Sequence, residues 1–147
     1  KNYQIIKSLV NLNIPVMGHI GYTPQFKKKF RVEGQTKSEA KKLLNEAKAI
    51  EKAGAFSIVL ECISPITAKL ITSELNIPTI GIGSSFHCDG QILVTDDMLG
   101  ISGFYPKFVK KYLNLDRIIA KAVKKYTRDV KKKKFPATKN FLNGTKY

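Results

Sequence analysis

The feature that most constrains this chain is an alternation of short apolar runs with helix-period segments over its first 94 residues. Ile14-Pro15-Val16-Met17-Gly18-His19-Ile20-Gly21 reads as a buried strand running into a loop. Thr36-Lys37-Ser38-Glu39 is a capping box, in which a threonine and a glutamate satisfy amides at a helix start. Behind it Ala40, Leu43, Leu44, Ala47 and Ile50 recur on one helical face, and Gly54 ends the helix. Phe56-Ser57-Ile58-Val59-Leu60 is a second buried strand, with Glu61 and Cys62 at its C-terminal end. Ser64-Pro65, an N-cap followed by proline at the first helical position, opens a helix through Ile66, Leu70, Ile71 and Leu75. Ile77 to Gly83 gives a third strand and turn, and Gln91-Ile92-Leu93-Val94 a fourth. Strands that alternate with helices and are apolar on both faces make parallel βα units.

Four such units suit either a doubly wound sheet or half of an eight-stranded barrel. A complete barrel takes about 250 residues, so 147 residues would supply strands five to eight together with C-terminal helices. The chain opens on Lys1 and enters a helix-like run at Tyr3, which is expected of the C-terminal part of a longer protein. Length and pattern predict one domain over 1–147, with basic helices at 106–134 and a tail at 135–147. Those helices are a short one from Pro106 to Leu113 and a longer one with Ile118, Ile119, Ala122, Val123, Tyr126 and Val130 as its apolar stripe. No apolar run approaches the roughly 20 residues that span a bilayer. Cys62 and Cys88 form no CxxC pair and no zinc spacing, which points to a reducing, cytoplasmic setting.

The formal charge of +15 raises the possibility of a nucleic-acid partner. Its distribution favours another account. Residues 107–147 hold 14 basic and 2 acidic side chains, and most of the basic ones are Lys. Ammonium groups lack the planar fork that suits base and phosphate recognition. The long helix interleaves its charges with an apolar stripe, as a helix packed on a barrel or a neighbouring subunit does. A basic nucleic-acid-binding module and a non-catalytic remnant are the alternatives, and the expectation is no nucleic acid and no membrane.

Glu61 is the foremost candidate for chemistry, because a carboxylate after four apolar strand residues is costly without a task or a partner. The C-terminal ends of barrel strands are where catalytic groups project. His19, near another strand end, could orient a carboxylate, bind substrate or be a packed, hydrogen-bonded histidine. Gly81-Ile82-Gly83 fails as a dinucleotide fingerprint, since Phe86 stands where a third glycine belongs. His87-Cys88-Asp89 places three ligand-type residues in a row, where adjacent side chains seldom converge on one metal. Asp96 and Asp97 either cap a helix or face the strand mouths.

Taken in order, five stretches closely resemble one family over nearly the whole chain. They are Val16 to Gln25, Ile58 to Cys62, Ile77 to Gly83, Cys88 to Val94 and Pro106 to Lys110. The family is ketopantoate hydroxymethyltransferase, in its C-terminal half. The resemblance implies a (βα)₈ TIM barrel of the phosphoenolpyruvate/pyruvate type, acting in pantothenate biosynthesis. It implies transfer of a hydroxymethyl group from 5,10-methylenetetrahydrofolate to 3-methyl-2-oxobutanoate (α-ketoisovalerate), with Mg²⁺ and a homo-oligomer, typically a decamer.

Glu61 stands where the family has its general base. Ile82, Ile92 and Val94 match positions expected to line the apolar side of the substrate pocket, and His19 is retained. The Mg²⁺ ligands and the serine and lysine that hold the ketoacid belong to the N-terminal half, so the 147 residues alone are expected to be inactive. The stretch Lys27-Lys28-Lys29-Phe30-Arg31-Val32-Glu33-Gly34 lacks the family's glycine pair and is shorter, which bears on how that loop closes the site.

Overall fold

A computed structural model describes residues 2–24 and 31–141. The basic stretch Lys27–Lys29 and the last part of the tail lie outside them. The chain divides into two compact units, Lys1–Leu93 and Val94–Tyr147.

The first unit carries α1 (Asn2–Asn11), β1 (Met17–Gly21), α2 (Lys37–Lys52), β2 (Ser57–Glu61), α3 (Pro65–Glu74), β3 (Thr79–Ile82) and β4 (Gly90–Gln91). The four strands form one sheet in the order β1-β2-β3-β4, every pair parallel. This sheet with its crossover helices is part of a (βα)₈ barrel wall and fits the C-terminal half expected from the sequence.

Each element follows from local chemistry. At the start of α2 the Thr36 hydroxyl accepts a hydrogen bond from the Glu39 amide at 3.2 Å, as the capping box requires. The reciprocal arm reaches one residue further back, where the Glu39 carboxylate accepts from the Gln35 amide at 3.0 Å. Ser64 caps α3 by accepting from the Thr67 amide, with Pro65 at the first helical position.

Strand side chains alternate between two faces. Ile20, Ile58 and Leu60 point toward the helices and pack in one core with Leu43, Ala47 and Ile50 of α2 and Ala68 and Ile71 of α3. Ile58, Leu60, Ala68 and Ile71 are completely inaccessible to solvent. Gly18 lets α2 lie close to β1, since a Cβ there would collide with the Ile50 side chain.

Two strand boundaries differ from expectation. Residues 14–16 precede β1, with Asn13 in a positive-φ turn and Pro15 unable to donate to a ladder. The last strand is shorter than the expected 91–94. The Ile92 amide still donates to the Gly81 carbonyl at 3.0 Å, after which the chain leaves the sheet.

The second unit opens on α4 (Thr95–Leu99), with Asp96 and Asp97 in its first turn, where negative charge opposes the positive end of the helix dipole. The short helix expected over Pro106–Leu113 does not form; the segment is a single turn followed by irregular chain. The Val109 amide closes that turn on the Pro106 carbonyl. The Tyr112 and Leu113 amides then go to the Met98 carbonyl at the end of α4, so they cannot build an i→i−4 ladder. The long helix, α5 (Leu115–Lys131), forms as expected, with its apolar stripe half-exposed within this unit. No helix among the described residues is long and apolar enough to cross a membrane.

Candidate active site

The site is built where β1 and β2 end side by side. In the parallel register His19 pairs with Val59, and Gly21 pairs with Glu61. His19, Val59 and Glu61 therefore share the face of the sheet opposite the helices, which is the interior face of a barrel. His19 Nε2 stands 3.0 Å from Glu61 Oε2. The glutamate side chain is only 19% exposed, so its carboxylate has exchanged much of its hydration for this one neighbour. Two residues 42 positions apart in sequence thus form one acid-base pair.

The backbone around Glu61 is held from several sides. Cys62 adopts a left-handed conformation, φ 52°, which turns the chain immediately after the carboxylate. The Glu61 carbonyl accepts from the Tyr22 amide at 2.8 Å, and the Cys62 amide donates to the Ile82 carbonyl at 2.9 Å. Across the turn the Ser84 hydroxyl donates to the Leu60 carbonyl at 2.7 Å and accepts from the Ile63 amide at 3.0 Å. Gly21, φ 96°, makes the approach of β1 possible, because a Cβ there would fall on the Glu61 carbonyl oxygen. Behind the carboxylate the Cys62 thiol is buried. Burial, and then the Glu61 charge, push its pKa up to about 11.

The residues expected to line the pocket take separate places. Ile82 registers directly beside Glu61 on the same face and is buried. Ile92 follows β4 and is half-exposed. Val94 belongs to the second unit, where it precedes α4 as its N-cap residue and is half-exposed.

The run His87-Cys88-Asp89 does not converge. His87 lies against Phe86, Cys88 enters the core, and Asp89 folds back to accept hydrogen bonds from the Thr79 amide at 2.8 Å and hydroxyl at 2.9 Å. Among the described residues no three of His, Cys, Asp and Glu gather as a metal site. The His19–Glu61 pair offers one imidazole and one carboxylate, whereas Mg²⁺ takes oxygen ligands in an octahedral set. These residues do not make a Mg²⁺ site by themselves.

Sequence reasoning missed Ser84, Gly21 and the clamp around Arg31. That guanidinium meets Glu33 at 3.2 Å and Glu39 at 2.8 Å, tying the chain before α2 to the helix start. Gly21 carried a signal in its place directly after an apolar run. Ser84 carried none, because its partners are the backbone of another strand.

A ketopantoate hydroxymethyltransferase family model matches residues 1–138. The chain belongs to this family. Curated relatives named 3-methyl-2-oxobutanoate hydroxymethyltransferase are 48% identical over 140 residues in Pelagibacter ubique, covering 95% of this chain and 54% of that protein. Identity is 52% over 139 residues in Francisella tularensis subsp. novicida, covering 92% and 52%. In Enterococcus faecalis it is 54% over 135 residues, covering 89% and 49%. The chain therefore spans about half the length of the curated hydroxymethyltransferases it matches, and the His19–Glu61 pair lies within the matched half.

Proposed function

We propose that this chain is the half of a ketopantoate hydroxymethyltransferase that carries the general base, Glu61. The whole protein moves a one-carbon unit from 5,10-methylenetetrahydrofolate to α-ketoisovalerate. The observation that carries this reading is the His19–Glu61 pair at adjacent strand ends, 3.0 Å apart, within a chain of this family.

In this reading one Glu61 oxygen faces His19, and the carboxylate takes the C3 proton of the ketoacid through its other oxygen. The electrons of the broken C–H bond form an enolate. Its carbon then bonds to the methylene carbon of the donor as one of that carbon's two C–N bonds breaks, and a water oxygen bonds to the same carbon as the second C–N bond breaks, leaving the hydroxymethyl group on the product and tetrahydrofolate released. His19 keeps the carboxylate oriented. Ile82 and Ile92 offer apolar surface for the isopropyl group. Electrostatic stabilisation of the enolate falls to groups outside these residues.

Glu61→Gln keeps the shape of the side chain and removes the base. In the protein that contains this chain with its other barrel half, it should lower deuterium exchange at C3 by at least about 10², the lower end of what a general base contributes. Ketopantoate formation should fall with it. Exchange at the wild-type rate in Glu61→Gln would overturn the assignment. The 147 residues alone are expected to give no ketopantoate, and Mg²⁺-dependent turnover by them would overturn that part.

A further inference from the structure

Strand register sets two rows of residues on the sheet face that carries Glu61. The upper row is Gly21, Glu61 and Ile82. The lower row, two residues earlier on each of these strands, is His19, Val59 and Ile80, and Gly90 of β4 continues it. Two residues of strand separate the rows by about 6–7 Å. His19 belongs to the lower row, yet its Nε2 lies 3.0 Å from Glu61 Oε2. The carboxylate therefore reaches over the lower row. Val59 is buried and Ile80 half-buried, and neither takes part in the core on the helix side. Gly90 ends the row without a side chain. Among the described residues, and apart from its chain neighbours, Ile80 Cδ1 is the one heavy atom within 4 Å of a Cβ placed there, at 2.9 Å. Gly90 has no positive φ, so its backbone does not demand glycine. What the missing side chain provides is room for the end of Ile80 to lie over β4.

We infer that Ile80, seated over Gly90, is a specificity-determining residue that limits the size of the substituents on C3 of the branched 2-oxo acid. This rests on the function proposed above and deepens it. The Glu61 oxygen that takes the C3 proton holds C3 over the lower row. One C3 methyl group then faces down onto Val59 and Ile80, while the other faces Ile82 in the upper row. With Cδ1 turned toward Gly90, the floor accepts a methyl group and leaves no place for a longer chain. Such a floor discriminates by size, since one methylene in an apolar pocket is worth about 10–200-fold.

The test compares kcat/KM for 3-methyl-2-oxobutanoate with that for each enantiomer of 3-methyl-2-oxopentanoate, in which an ethyl group replaces one C3 methyl or the other. The protein used contains this chain with its other barrel half. Ile80→Val removes Cδ1 and opens the place over Gly90 to the extra carbon. It should improve the ratio for one enantiomer about tenfold, the lower end of what a methylene is worth. Gly90→Ala pushes Ile80 back toward Glu61 and should make the ratio for that enantiomer worse. In the double variant the alanine methyl takes the place Cδ1 vacated, and the ratio should return toward the wild-type value. A merely structural role would lower kcat/KM for all the acceptors together and leave the ratios alone. Unchanged ratios in Ile80→Val, or a double variant as permissive as Ile80→Val, would overturn the inference. Where Glu61→Gln has abolished C3 exchange in the same protein, the proposed function then stands without it. If Glu61→Gln exchanges C3 at the wild-type rate, the proposed function falls and the assignment of Ile80 falls with it.

Discussion

Replacing Gly21 by alanine isolates the contact on which the geometry of the site depends. Gly21 has φ 96°, a conformation that costs an L side chain about 1–2 kcal/mol. Its Cβ would also fall on the Glu61 carbonyl oxygen, with Ile63 Cγ1 at 2.8 Å. That oxygen is backbone, in a ladder and already accepting from the Tyr22 amide, so it cannot rotate away as a side chain would. Overpacking of this kind adds about 1–3 kcal/mol, giving a total of about 2–5 kcal/mol against a typical stability of 5–15 kcal/mol.

Gly54 supplies a matched control at φ 95°, where the nearest atom to an added Cβ is Val10 Cγ1, the far end of a side chain. Gly54→Ala should therefore cost mainly the conformational part, about 1–2 kcal/mol. Urea denaturation of both variants measures the difference, and amide exchange at Tyr22 reports whether β1 has parted from β2 beside Glu61. Equal costs at the two positions, or a Gly21→Ala chain with the Tyr22 amide still protected, would refute the reasoning.

Two further outcomes are expected. The Cys62 thiol, held up at about 11 by burial and by the Glu61 charge, stays protonated at neutral pH, so alkylation followed by peptide mass spectrometry should find it unmodified in native protein and labelled after denaturation; rapid native labelling would contradict this. The Thr79 amide and hydroxyl hold the Asp89 carboxyl below its ordinary value of 3.8, so its contribution is fully present above about pH 4 and is lost as pH falls through the depressed folded value. Asp89→Ala leaves the buried Thr79 amide without that acceptor and should cost about 1–3 kcal/mol at pH 7, with the gap to wild type narrowing in acid denaturation scans; a gap that widens toward low pH would show the sign to be wrong.

The strands, α2, α3 and α5 were legible because each carries its own periodicity and caps. Thr36 and Glu39 mark one helix start, Ser64 and Pro65 another, and the apolar stripes of α2 and α5 need no tertiary partner to be read. Glu61 was legible for the same reason: a lone carboxylate at the end of Ser57-Ile58-Val59-Leu60 stands out along the chain. The segment 106–113 misled because its apolar spacing suits a helix while its amides are claimed by Met98, a residue of another element.

By itself, then, the sequence determined the order of βα units, the helix boundaries set by caps, and a carboxylate and an imidazole each at a strand end. All of these are encoded within a few neighbouring residues, by side-chain period and local hydrogen bonding. Tertiary structure alone decided that β1 lies next to β2 in a register that pairs Gly21 with Glu61. From that register follow the 3.0 Å between His19 and Glu61, the Ser84 staple over the Cys62 turn and the collision that keeps Gly21 a glycine. Register is fixed by burying Ile20, Ile58 and Leu60 together against α2 and α3, and a slip of one residue would turn His19 into that core. Such a choice is made among residues far apart in the chain, where no local pattern can carry it.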